Sequence, residues 1–243
     1  MGVICFENEH SNKNIFSIKN EEKVKAGENL TLMNTKILLE KAEKSVCEIV
    51  KDTGYGSGFF CKIKYPNNYN EEIYCLITNN HVITKDMLIN KENIEIKLNN
   101  KELIISLNKN RRIWTNEKID FACFEIIKED NIIEIINPFE IDDKCYNINY
   151  NIKEYNKRGI VSGVIGGKEE IELPQGVIYY INSNSLFFHN CNTEPGTSGG
   201  PIILINNLKL IGIHKAHDKN NKKNIGIYFH EILKEIIKEK LLY

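Results

Sequence analysis

An all-β chain folded as two six-stranded antiparallel β-barrels, with a C-terminal α-helix, is the architecture that the patterning of this sequence predicts. Three observations lead there. Short β-rich apolar runs bounded by clusters of turn residues fill most of the chain, as in barrels and sandwiches. These runs fall into two sets, separated by an Asp-, Asn- and Lys-rich stretch. Near the end the period changes, and apolar residues recur every three or four positions, on one face of a helix. A chain of 243 residues with 42% hydrophobic content can bury a core of this size, and all-β barrels of that length often form one unit.

Residues 1–34 are polar, carry mixed charge and show no sustained period, so they are expected to be a weakly ordered extension or to pack on the outside. Residues 35–130 form the first barrel behind a leading helix. Ile37, Leu38, Leu39 and Ala42 are helically spaced within Thr35–Lys44, with Asn34 or Thr35 as cap. The strands follow at Val46–Val50, Gly58–Tyr65, Ile73–Thr78, Ile94–Leu98, Leu103–Leu107 and Phe121–Ile127, with a hairpin turn over Pro66–Asn70. Residues 131–155 are a connector with some strand character. Residues 156–243 carry the second barrel, with strands at Gly159–Ile165, Val177–Ser183, Ser185–His189, Pro201–Ile205, Lys209–Ala216 and Ile225–Phe229. An amphipathic helix over Phe229–Lys238 closes it.

Composition excludes several function classes. The net charge of −1 gives no basic footprint for nucleic acid. No apolar run approaches the roughly 20 residues that span a bilayer. The start lacks the basic and long apolar regions of a secretory signal, and Phe6 stands where myristoylation after Met1-Gly2 wants Ser or Thr. Seven cysteines, at positions 5, 47, 61, 75, 123, 145 and 191, show no metal-ligand spacing. Cys61, Cys75 and Cys123 sit in apolar strand patterns, where a free thiol acts as a small buried hydrophobe. One disulfide between Cys61 and Cys75, facing across a hairpin, stays open. A reducing, cytoplasmic setting, no cofactor and no metal, and a protein or peptide as the partner are the expectations; oligomeric state is not readable.

The chemistry is concentrated in Pro195-Gly196-Thr197-Ser198-Gly199-Gly200-Pro201. Glycines on both sides bare the backbone around Ser198. Such a turn can aim the amides of Gly196 and Ser198 at one point beside the hydroxyl, where an oxyanion would develop. Taken alone, it is equally a glycine-rich turn between strands. Upstream, His81 ends the apolar run Leu76–Ile83, and Asp120 stands among apolar residues in Ile119–Ile126. A buried carboxylate needs a partner. An imidazole N–H is a suitable one, and that pairing leaves the other ring nitrogen free to take a serine proton. Each residue also has a structural reading, His81 as a hydrogen-bonded core histidine and Asp120 as a strand cap.

Four segments in order carry a resemblance to the trypsin-like (chymotrypsin-fold) serine proteases. Thr78-Asn79-Asn80-His81-Val82 resembles their histidine motif and Asp120-Phe121-Ala122 their aspartate motif. Gly196-Thr197-Ser198-Gly199-Gly200-Pro201 resembles their nucleophile motif, and Gly56-Ser57-Gly58-Phe59 looks like the turn before the histidine strand. The resemblance spans about residues 45–230. It implies a serine endopeptidase with His81, Asp120 and Ser198 as catalytic triad, working through an acyl-enzyme, with the amides of Gly196 and Ser198 as oxyanion hole. The active site then lies in the cleft between the barrels.

Two departures refine what the resemblance implies. Thr197 replaces the aspartate that, in digestive and clotting relatives, pairs with a newly cleaved N-terminus, so no such cleavage is expected to be needed. Asn192 replaces the aspartate by which trypsins select basic side chains. Thr193, with the segment Gly212-Ile213-His214, instead resembles the pockets of glutamyl endopeptidases and viral 3C-like proteases. The implied preference is Glu or Gln at P1, held by the hydroxyl of Thr193 and the imidazole of His214. Alternation puts His214 and Ala216 on one face, and the backbone of Lys215, Ala216 and His217 is expected to pair with substrate as an added strand. Lys215 and His217 are candidates for adding cationic character to the pocket. Two alternatives remain: a protease-fold module that binds peptides or partners with little turnover, and a quality-control protease of the high-temperature-requirement type. For the second, the chain leaves no evident room for an appended peptide-binding module.

Overall fold

The computed structural model describes residues 30–51, 54–64, 72–90, 93–107, 111–147, 161–163, 171–180 and 185–240. Residues 1–29 of the extension expected over 1–34, the Pro66–Asn70 turn and residues 148–155 of the connector lie outside the described residues. Helix α1 (Leu32–Glu43) starts earlier than expected, because Thr31 is the cap and its hydroxyl accepts the Asn34 N–H at 3.1 Å. Thr35 then lies inside the helix, where its hydroxyl donates to the Thr31 carbonyl. Leu38 and Ala42 face inward.

The first sheet holds eight strands: β1 (Val46–Lys51), β2 (Gly54–Lys64), β3 (Glu72–Thr78), β4 (Asn93–Leu98), β5 (Lys101–Ser106), β6 (Ile113–Asn116), β7 (Phe121–Glu125) and β8 (Phe139–Glu140). Their order is β5-β4-β1-β2-β3-β7-β6, all antiparallel, with β8 lying parallel to β2. A short helix α2 (Lys85–Ile89), capped by Thr84, follows β3. The expected six strands are all present. The two additional ones, β6 and β8, are too short to show a period. The Gly56–Phe59 segment, expected as a turn, is extended backbone inside β2, paired residue for residue with β1.

The second sheet holds seven strands: β9 (Val161–Gly163), β10 (Gln175–Gly176), β11 (Ile178–Tyr180), β12 (Leu186–His189), β13 (Pro201–Leu204), β14 (Leu210–Asp218) and β15 (Lys223–Tyr228). They run antiparallel in the order β10-β9-β13-β14-β15-β12-β11, and only the two-residue β10 is additional to the six expected. Helix α3 (Phe229–Lys240) buries Ile232, Leu233 and Ile236. The molecule is thus two curled antiparallel sheets with a C-terminal helix, as the patterning predicts.

The first sheet is apolar on both faces, which explains why β2 and β3 read as unbroken apolar runs. Phe60 and Leu76 point into a core with Ile49, Ile94, Ile96 and Phe124. Phe59, Cys61, Ile63, Ile73, Cys75 and Ile77 belong to a second core, shared with Ile202, Leu210, Ile213 and Ile227 of the other sheet. One apolar layer therefore joins the two sheets. Cys61 and Cys75 are cross-strand partners, but both are free thiols, as are the other four described cysteines. All six are buried, and burial pushes the thiols of Cys47, Cys61 and Cys123 up. No described helix is long and apolar enough to cross a membrane.

Candidate active site

His81 sits one turn beyond β3. The Asn79 carbonyl accepts the N–H groups of Val82 and Ile83 at 3.1 and 3.2 Å, and both of those side chains are buried. Asp120 immediately precedes β7, in a turn closed by its N–H donating to the Asn116 carbonyl at 2.8 Å. Its φ of +66° lies in the left-handed region, which Asp tolerates better than most residues. The Asn79 side chain donates to the Asp120 carbonyl at 3.0 Å and so ties the two turns together.

The Asp120 carboxylate holds His81 at two places. Oδ1 accepts the His81 main-chain N–H at 3.0 Å, and Oδ2 lies 2.9 Å from Nδ1. A carboxylate only accepts, so Nδ1 carries the proton and Nε2 of the neutral ring is left with its lone pair. The His81 side chain is 48% exposed and that of Asp120 only 10%. A buried acceptor thus orients an imidazole that stays half exposed.

Ser198 lies in the loop between β12 and β13. Gly196 and Gly199 adopt φ of +95° and +91°, conformations that L side chains rarely take. The Thr197 hydroxyl and N–H both donate to the Glu194 carbonyl, at 2.9 and 3.2 Å, which braces the loop locally. The first sheet holds it from the other side. Ser57 of β2 donates its N–H to the Ser198 carbonyl and its hydroxyl to the Gly196 carbonyl, each at 2.8 Å. Strand β14 completes the frame: Gly199 N–H donates to the His214 carbonyl and His214 N–H to the Gly200 carbonyl. The N–H groups of Gly196 and Ser198 have no acceptor among the described residues. The Ser198 hydroxyl donates to the Lys215 carbonyl at 3.0 Å, and it makes no hydrogen bond to His81 among the described residues.

Of the residues expected around P1, His214 is buried and Thr193 half-buried, with no hydrogen bond between them among the described residues. His214 has a partner that sequence reasoning missed. His189, at the end of β12, places Nε2 3.1 Å from His214 Nδ1 in a buried contact. Burial, then the neighbouring His81 and His217, lowers the His214 pKa to about 4, while burial and His214 lower that of His189 to about 3. Both are therefore neutral at pH 7. His189 Nδ1 has no partner among the described residues. A buried lone pair is tolerated better than an orphaned N–H, so Nε2–H of His189 donates and His214 Nδ1 accepts. His214 then carries its own proton on Nε2.

The expectation that His214 and Ala216 share a face is corrected. A β-bulge separates them: His214 pairs with Gly226 and Ala216 with the next residue, Ile225. They take successive register positions and so lie on opposite faces, with Lys215 as the extra residue. The Lys215 ammonium lies 3.7 Å from Asp120 Oδ2, and His217 Nδ1 lies 2.8 Å from Asn224 Oδ1. Both side chains thus have partners within the protein.

Residues 56–213, well over half of the chain, match the family described as trypsin-like peptidase domain. No curated protein sequence matches the chain. Among solved structures, the Rv3671c protein of M. tuberculosis is similar at 15% identity and TM-score 0.56, over 85% of this chain and 91% of that one. A serine endoprotease from Yersinia pestis matches at 16% identity and TM-score 0.56, over 84% of this chain and 67% of the other. A human pathogenic astrovirus serine protease matches at 11% and TM-score 0.51, over 76% and 90%. The shared fold and the extent of the family match lead to one assignment: the chain belongs to the trypsin-like peptidase family and is a serine endopeptidase.

Proposed function

We propose that Ser198 is the nucleophile, His81 the general base, and Asp120 the group that orients His81. The observation that carries this reading is the pair of contacts at Lys215. Its carbonyl accepts the Ser198 hydroxyl and its ammonium pairs with Asp120, so residues from the two barrels meet at one point. Attack on a peptide carbonyl requires the Ser198 hydroxyl to turn from Lys215 to His81 Nε2, and catalytic hydrogen bonds often tighten only once substrate is bound. Ser198 Oγ then bonds to the carbonyl carbon, its proton passes to His81, and the amides of Gly196 and Ser198 receive the oxyanion. His81 returns the proton to the leaving amine, and water repeats the sequence to release the acid.

The same reading gives the enzyme a preference for Glu or Gln at P1. A neutral His214 with its proton on Nε2 offers a hydrogen-bond donor without charge, which suits an amide oxygen as well as a carboxylate. Lys215 and His217, the candidates for adding charge to the pocket, are engaged elsewhere, and this favours Gln. A peptide library profiled against Ser198→Ala as blank tests the assignment. His189→Leu is expected to lower kcat/KM for P1-Gln peptides about tenfold or more, since His214 loses the donor that sets its tautomer. A P1-Ala peptide should lose far less. Equal losses on both peptides, or none, would exclude the proposed pocket.

The resting hydroxyl also suits the second reading, a module that binds peptides with little turnover. A fluorophosphonate probe separates the two, labelling Ser198 in an active enzyme and leaving a binding module unmodified. The buried free thiols support the expectation of a reducing, cytoplasmic setting.

A further inference from the structure

Lys215 touches both the nucleophile and the orienting carboxylate, although neither its position nor its charge marks it for that role in the sequence. It is the unpaired residue of the β14 bulge, a device that re-aims a side chain out of the strand's alternation. Its Nζ is 3.7 Å from Asp120 Oδ2, the same oxygen that lies 2.9 Å from His81 Nδ1. The two side chains are only 26% and 10% exposed, so solvent and salt screen the pair incompletely. His81 shares this carboxylate, and the buried His214 of β14, paired with His189, feels the charge of His81 and of His217.

We propose that Lys215 is a positioning residue that acts through Asp120, sharing Oδ2 with His81 and restraining how strongly that carboxylate holds the imidazolium. The inference rests on the triad reading above. Its logic is electrostatic. His81 works as a base only while neutral, and Asp120 alone favours the charged ring. A nearby cation offsets part of that attraction, so the working base survives to lower pH. The ammonium also holds the Asp120 carboxylate in place, which preserves its bonds to the His81 ring and main chain. The contact is specific to a long cationic side chain leaving the bulge; the neighbouring His214 and Ala216 have regular partners in β15.

The pH dependence of kcat/KM on a peptide substrate tests the idea, with Lys215→Met, Lys215→Gln and Lys215→Arg compared to the wild type. The ammonium is a like charge to the imidazolium, and a nearby like charge disfavours a group's charged form, moving its ionisation by about one pH unit or more. With partial exposure, the acid limb should move up by about 0.5–1 pH unit in Lys215→Met and Lys215→Gln. Lys215→Arg should restore it to within about 0.2 unit. A purely structural role would lower activity at every pH without moving the limb. An unshifted or down-shifted limb in both neutral variants overturns the inference and leaves the triad intact. A wild-type protein that neither cleaves peptides nor takes the fluorophosphonate probe overturns the triad reading, and this inference with it.

Discussion

Two glycines flank Ser198 with nearly the same φ, yet replacing them should have different consequences. At Gly199, φ +91°, a methyl group would lie 2.1 Å from the Ser57 carbonyl oxygen and 2.5 Å from Thr78 Oγ1. Those atoms are bonded to each other at 2.7 Å, and Ser57 is bonded in turn to Ser198. Nothing there can yield without moving main chain at the junction of the barrels. Backbone strain of about 1–3 kcal/mol adds to overpacking of about 1–3 kcal/mol, so Gly199→Ala should cost about 2–6 kcal/mol. At Gly196, φ +95°, the methyl would instead meet the Tyr55 ring at 2.0 Å. Tyr55 is 43% exposed and can swing outward, leaving mainly the strain of about 1–3 kcal/mol. Urea unfolding followed by the fluorescence of Trp114, the only tryptophan, measures both. Tyr55→Ala should relieve Gly196→Ala by about 1 kcal/mol and leave Gly199→Ala unaffected, because contacting residues couple and distant ones add. Equal losses for the two alanines, with no relief from Tyr55→Ala, would refute the reasoning.

Two further outcomes follow from buried charge and buried imidazole. Arg111 and Asp130 form a fully buried bidentate pair at 2.8 and 3.0 Å, and the guanidinium also donates to the carbonyls of Ser106 and Glu125. Arg111→Met should cost about 3–5 kcal/mol in urea unfolding by stranding the carboxylate, and a loss below about 1 kcal/mol would contradict that. His189 and His214 have folded-state pKa values lowered by burial to about 3 and about 4, against 6.5 for an ordinary histidine. Between these values the unfolded chain binds more protons than the folded one. Their contribution is therefore complete above about pH 6.5 and declines as pH falls toward 4, by up to about 1.4 kcal/mol per unit for each histidine. Unfolding free energies at pH 7, 6 and 5 should fall less steeply in His189→Gln than in wild type, and parallel slopes would count against the linkage.

The repeating units were readable because their signal is local. Ile94, Ile96 and Leu98 alternate inward along β4 with charged residues outward, and Ile232, Leu233 and Ile236 share one face of α3. Strands β6, β8 and β10 were not readable, since two to four residues carry no period and their pairing is set by neighbours distant in sequence. The site divides in the same way. His81, Asp120 and Ser198 stand in short contiguous motifs, so their residue types were visible. The bulge at Lys215 was not, because it is a mismatch in register between two strands and leaves no mark on either. His189 reads as an ordinary strand end. Its role depends on His214, 25 positions away and two strands over in the sheet, with β15 between them.

The Gly56–Phe59 segment shows how a motif can be recognised while its physical work is misread. As a turn it would merely redirect the chain. Within β2 it brings Ser57 to the seam between the sheets, one pleat from Phe59 of the shared core. From there Ser57 fixes the carbonyls of Gly196 and Ser198, and those bonds limit how the peptide units around Ser198 can rotate. Thr78, at the end of the strand leading to His81, accepts none of that load directly but donates its hydroxyl to the Ser57 carbonyl. The strand that delivers His81 and the loop that presents Ser198 are therefore linked through one serine. Packing of the apolar layer and assembly of the site are then a single event, because a chain with separated barrels would have neither the Ser57 contacts nor the Lys215–Asp120 pair.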